Sequence, residues 1–203
     1  RDLPIEVEIG EPVLTWKGWA RVFDVTVKDV RVTGYGGALD ARAPSVQIRL
    51  SVPALVKGIA APVRITVNQP NIQLGDALMS GGTKTVDDAK WFAEILNGIA
   101  SATDGPDRLS YLRLVELNDA TIENLIPSGG DTIILKDLNA ALHRHSSVLR
   151  INATATVIID DAATKVGLDV NYDDTRQRIS GSAKLNGLPF STAARALSLD
   201  ETV

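Results

Sequence analysis

Cysteine is absent from the 203-residue chain, and aromatic residues make up only 4% of it. The first absence excludes disulfides, thiolate metal sites and thiol nucleophiles, and it leaves the redox compartment open. The second removes the large rings that usually anchor a sandwich core and leaves most of the 44% hydrophobic content to Val, Ile, Leu and Ala. No stretch nears the roughly 20 apolar residues that a membrane-spanning helix needs. Basic stripes are missing too: the net charge is -4 and Lys and Arg stand singly among acids, which argues against nucleic acid as a partner. Nor is there a secretory signal. The chain opens at Arg1-Asp2-Leu3-Pro4 and closes at Asp200-Glu201-Thr202-Val203, and both ends read as cuts. A piece of a longer protein, lacking its targeting or anchoring segment, is the expectation.

What the chain has is alternation that changes face. Phe23, Val25 and Val27 give way to Val30 and Val32; Val63, Ile65 and Val67 to Ile72 and Leu74; Val115 and Leu117 to Ala120 and Ile122; Ile133 and Leu135 to Leu138, Ala140 and Leu142. The pivots are Lys28-Asp29, Gln69-Pro70, Asn118-Asp119 and Lys136-Asp137. Strand side chains have period 2, so a change of parity would throw the apolar set onto the opposite face unless a bulge or bend restores it. The expected fold class is mainly β: a long, twisted antiparallel sheet curled into an open groove or taco-like trough, with one amphipathic helix and short helical turns.

Three segments follow from the pattern. Residues 1–74 form a first β-groove repeat, with Val46, Ile48 and Leu50 alternating with Gln47, Arg49 and Ser51, and with one helical turn at Pro53–Gly58. Residues 75–108 carry a break and the one long amphipathic helix, whose stripe is Ala89, Phe92, Ala93, Leu96, Ile99 and Ala100. Residues 109–203 form a second repeat, including the long alternating run Leu149 to Ile159 and a closing helix at Phe190–Leu199.

Chemical motifs are sparse. His143-Arg144-His145 puts two imidazoles on one strand face without a third ligand, so a solvated hairpin end outweighs a metal site. Ser191, Asp200 and a His lack the strained elbow of a hydrolase. Gly81-Gly82-Thr83-Lys84-Thr85 lacks the Gly before Lys that a phosphate loop needs. Asp160-Asp161 and Asp173-Asp174 lack calcium-loop spacing and read as acidic turns. No cofactor, metal or catalytic residue is expected.

Several phrases resemble the N-terminal periplasmic part of AsmA-like proteins, closest to the YhdP type of Gram-negative envelopes. They are Ile9-Gly10-Glu11-Pro12-Val13-Leu14-Thr15-Trp16, Phe23 to Val32, Val46 to Ser51, Pro62 to Leu74, and Leu188-Pro189-Phe190-Ser191 with Ala193, Ala194 and Leu197. The helix from Val86 to Ala102 departs from that pattern. The resemblance implies a repeat-built β trough in the periplasm, anchored to the inner membrane by a helix outside this chain. It also implies phospholipids as partners, with transport between inner and outer membranes and maintenance of the outer membrane as the role. Envelope proteins are further possible partners.

The lipid-binding face expected from alternation comprises Val25, Val27, Val46, Ile48, Leu50, Val63, Ile65, Val67, Leu114, Ile151, Val157, Leu168 and Val170. The competing readings are a closed β-sandwich serving structural or assembly contacts in the envelope and, more remotely, a hydrolase. Their marks differ: a groove predicts co-purified lipid, a sandwich a packed dry interior, and an enzyme a pocket of converging titratable groups.

Overall fold

The computed structural model describes residues 5–15, 23–34, 39–74, 108–123, 133–159, 162–173, 175–176 and 178–186. Several sequence expectations fall outside them. These are the helix at 86–102, the glycine-rich stretch at 81–85, the Asp160-Asp161 turn, and Ser191 with the closing helix. The described chain is almost entirely strand: β1 (Ile5–Glu8), β2 (Pro12–Thr15), β3 (Asp24–Gly34), β4 (Leu39–Leu50), β5 (Pro62–Asn68), β6 (Asn71–Leu74), β7 (Leu114–Glu123), β8 (Ile133–His145), β9 (Val148–Ile159), β10 (Ala162–Asp173) and β11 (Arg178–Asn186). Two short helical pieces interrupt it, α1 (Val52–Val56) and a 3₁₀ turn at Arg108–Tyr111. At α1, Ser51 Oγ accepts from Ala54 N at 3.4 Å while Pro53 sits where a missing N–H costs nothing.

All eleven strands belong to one sheet, ordered β1-β3-β4-β5-β7-β8-β9-β10-β11. The other two of the eleven lie end to end with a neighbour: β2 continues β1 along β3, and β6 continues β5 between β4 and β7. The sheet is mixed rather than wholly antiparallel, because β5 and β6 both pair with β7 in parallel. Parallel neighbours need a long crossover. The stretch between Leu74 and Leu114 supplies that length, and a parallel seam thus joins the two β series.

The pivots line up. Lys28↔Ser45 and Val30↔Ala43 bracket Asp29 opposite Pro44, and Asn68↔Asn118 and Asn71↔Thr121 bracket Gln69 opposite Asp119. On the outer side, Glu8↔Arg31 and Pro12↔Val27 set Gly10 opposite Asp29. The line ends in β8, where the pairing with β9 slips by one residue between Lys136 and Asn139, the mark of a bulge. Asp29, Gln69, Asp119 and Asp137 all have positive φ, between 48° and 54°. A left-handed residue is costly for most side chains and more tolerable for Asp, which occupies three of these four places. Each expected pivot is therefore a local distortion inside a continuing strand line, with no chain reversal.

Backbone groups at this kink line find partners. Gly10 N donates to Lys28 O (3.1 Å), Gln69 N to Asn118 O (2.7 Å) and Thr121 N to Pro70 O (2.8 Å). Asp119 N donates to Asn139 Oδ1 (3.2 Å), and Asn139 Nδ2 donates to the Asp137 carbonyl (2.9 Å). A Cβ on Gly10 would stand 2.7 Å from Lys28 O, so the strand can approach here only because glycine has none.

The kinks keep one side apolar. Below the line, directly opposed residues run Val25, Ile48, Ile65, Val115, Leu142, Ile151, Val170 across β3, β4, β5, β7, β8, β9 and β10. Above it they run Val32, Ala41, Ile72, Ile122, Leu135, Val157, Thr164 across the same width. Opposed residues share a face, and β9 is unbroken from Ile151 to Val157, so both rows lie on the same side. In β3, β4, β7 and β8 the two rows are an odd number of residues apart. Only a local irregularity can reconcile them.

Candidate functional site

The apolar face is the candidate. Every residue expected on it lies there except Leu114. That residue pairs with Arg64 and His143 and shares parity with Glu116, so it belongs to the polar side; Val115 takes the apolar position between Ile65 and Leu142. Arg113-Leu114-Val115-Glu116-Leu117 carries two adjacent aliphatics, and parity is decided by Glu116, which accepts from Arg64 Nε (2.9 Å) and Thr66 Oγ1 (2.9 Å) across the parallel seam.

Burial along the face is uneven. Val27 is 8% exposed, Ala120 and Leu149 are fully buried, and Ile133 and Ile159 are close to it. Val25, Val46, Ile48, Leu50, Val63, Ile65, Val67, Ile151, Val157 and Val170 are half-buried. Toward the β10–β11 end the face opens: Leu168 is 41% exposed and Ile179, opposite Tyr172, is 72% exposed. All eleven strands lie in a single sheet, so among the described residues no second sheet packs against this side as a sandwich would require.

A buried cation sits on the same side. Arg144 follows Leu142 in parity, is 5% exposed, and donates through Nη1 to the carbonyls of Leu109 (3.0 Å) and Ser110 (3.4 Å). It ties the 3₁₀ turn over the lower end of the face. The solvated hairpin end expected of His143-Arg144-His145 therefore holds for the two exposed imidazoles and fails for the guanidinium between them. Among the described residues no cluster of His, Asp and Glu is placed to hold a metal ion.

The opposite face is a lattice of ion pairs. Arg49 Nε meets Asp24 at 2.9 Å, Arg150 meets Asp169 at 2.8 Å, and Asp40 accepts from both Arg31 (3.1 Å) and Arg42 (3.0 Å). Hydrogen bonds from Arg31 and Arg42 bring the Asp40 carboxyl down to about 2. At Glu116 burial alone would raise the pKa, but the bonds from Arg64 and Thr66 outweigh it and the group lies below its ordinary value. Asp169 is lowered chiefly by its bond from Arg150.

This polar side also curves inward. Glu116, Asn139, Asn152, Asp169, Ser182 and Lys184 are among the residues around a hollow of about 500 Å³ across β7 to β11, to which Leu117, Ala140, Ala141, Ala153, Gly167 and Leu168 also contribute. A second, smaller hollow joins Asp24, Gln47, Arg49, Arg64, Thr66, Asn68 and Asn118. Sequence reasoning placed concavity on the apolar side and missed these. The one signal for them was the pair of small residues, Ala141 and Gly167, set among polar neighbours on β8 and β10. No family, no curated protein and no solved structure matches the chain.

Proposed function

We propose that the aliphatic face binds phospholipid acyl chains, and that the chain is a periplasmic portion of an AsmA-like protein that moves lipid between the inner and outer membranes. The observation that carries the reading is the aligned kink line. Left-handed residues in separate strands, a proline between them and a bulge in β8 all serve one result, an uninterrupted apolar surface spanning the strands. Such strained positions persist where the surrounding structure repeatedly selects for them.

The physics of holding lipid there is undemanding. Each tail methylene leaving water contributes roughly 0.8 kcal/mol, and the contribution is non-directional, so tails can shift along Val, Ile and Leu side chains without a fixed register. No titratable group is required, and Arg144 is engaged at the lower end by the turn it ties down. Headgroups remain in water at the rim. The closed-sandwich reading lacks a second sheet among the described strands, and nothing on this face favours a hydrolase.

Lipid extraction from the protein purified without detergent, followed by mass spectrometry, tests the proposal. Phospholipid in stoichiometric amount, displaced by added fatty acid, is the expected result. A lipid-free protein that takes up none from vesicles would remove the proposal and leave a protein partner as the cover of the face.

A further inference from the structure

The described sheet ends in two unlike edges. One is formed by β1 and β2, two four-residue pieces broken at Gly10, with Pro12 lacking an N–H and with Glu6, Glu8 and Glu11 exposed. These are the devices that keep an edge from pairing with another strand. The other is β11, nine residues without a break, a proline or an acid, and exposed along its whole length. Its only strand neighbour among the described residues is β10.

We propose that β11 is the edge through which two copies of this chain pair, antiparallel about a two-fold axis at Ser182, so that the two sheets become one. The register singles itself out. Ser182 is the midpoint of Arg178–Asn186, and full-length pairing about it sets Ile179 opposite Leu185, Gly181 opposite Ala183, Ser180 opposite Lys184, and Arg178 opposite Asn186. Apolar residues meet apolar residues, each cation meets a neutral partner, and the central pair is Ser182 with itself. Ile179 at 72% exposure and Leu185 at 47% gain the cross-strand neighbours they lack on that side. A slip of one residue would bring Ile179 opposite Lys184 and set the aliphatic face of one copy against the polar face of the other. In the matched register the aliphatic faces continue from copy to copy, and the two-fold closes the assembly as a dimer rather than a filament.

Sedimentation velocity over a concentration series reads the assembly, and a monomer–dimer equilibrium is expected. Because the chain has no cysteine, Ser182→Cys introduces a single thiol; opposed Cα atoms in an antiparallel pair lie about 4.5–5.5 Å apart, within disulfide reach. Oxidised Ser182→Cys should run as a covalent dimer, while Glu8→Cys on the far edge should not. Ile179→Lys removes both symmetry-related apolar pairs and should weaken dimerisation roughly tenfold. Its circular dichroism should stay unchanged, since the side chain is mostly in water. A chain monomeric at every concentration overturns the proposal. So does a dimer that ignores Ile179→Lys and leaves Ser182→Cys unlinked, which would place the contact on another surface.

Discussion

At the scale of single residues, the bent sheet depends on a few backbone positions whose side chains run against the usual strand preference. Asp119, at φ 54°, lies on the kink line in the middle of β7. Replacing it by Val puts a β-branched residue in the left-handed region, at a cost of about 1–2 kcal/mol. Asp119→Gly loses the same 3.2 Å bond from Gln69 Nε2 but relieves the backbone, so Val should be the less stable of the two by that margin in urea unfolding. Equal midpoints would show that the backbone there is not constrained. A second residue reports through pH. Asp40 titrates at about 2 in the folded chain against an ordinary 3.8, so its contribution is complete above about pH 4 and is lost as pH falls through the lower value. Asp40→Asn should therefore melt below the wild type at neutral pH, with the gap closing between about pH 4 and pH 2.

Elements show how much of this architecture is legible in the sequence. The kinks were readable because a polar pair inside an aliphatic alternation breaks period 2, and the break is local. Pro44 belongs to the same line, yet β4 reads as two strands in the sequence, since Ala43-Pro44-Ser45 resembles an ending as much as a bend. The parallel seam was not readable: alternation records which side a strand buries and nothing about the direction of its neighbour. Leu114 failed for a related reason, its face being fixed by a partner on β5 some fifty positions away. Among the strands β9 is the spine, unbroken where β3, β4, β7 and β8 must bend. Leu149, at its start and fully buried beside Arg144, should cost about 2–5 kcal/mol when truncated to Ala. Chemical denaturation measures this, and a loss under 1 kcal/mol would mean that the lower end of the face is not packed as described.

For the molecule as a whole, the two faces divide the chemistry. On one side, among the described residues, Asp24, Asp40, Glu116 and Asp169 each meet an arginine on a neighbouring strand. The other side collects most of the strands' aliphatics, with Leu114, Ile134 and Ile158 turned the opposite way, and carries the proposed function. The most direct measurement is site-specific photocrosslinking to phospholipid from single positions on each face. Probes at Ile65 and Ile151 should crosslink and probes at Arg49 and Asn152 should not. Ile65→Asp and Ile151→Asp should abolish crosslinking from neighbouring apolar positions, because a carboxylate among tails costs several kcal/mol in lost hydration. Circular dichroism and melting of each variant separate that loss from unfolding. Crosslinking from both faces alike, or from neither, in a folded protein would contradict the account.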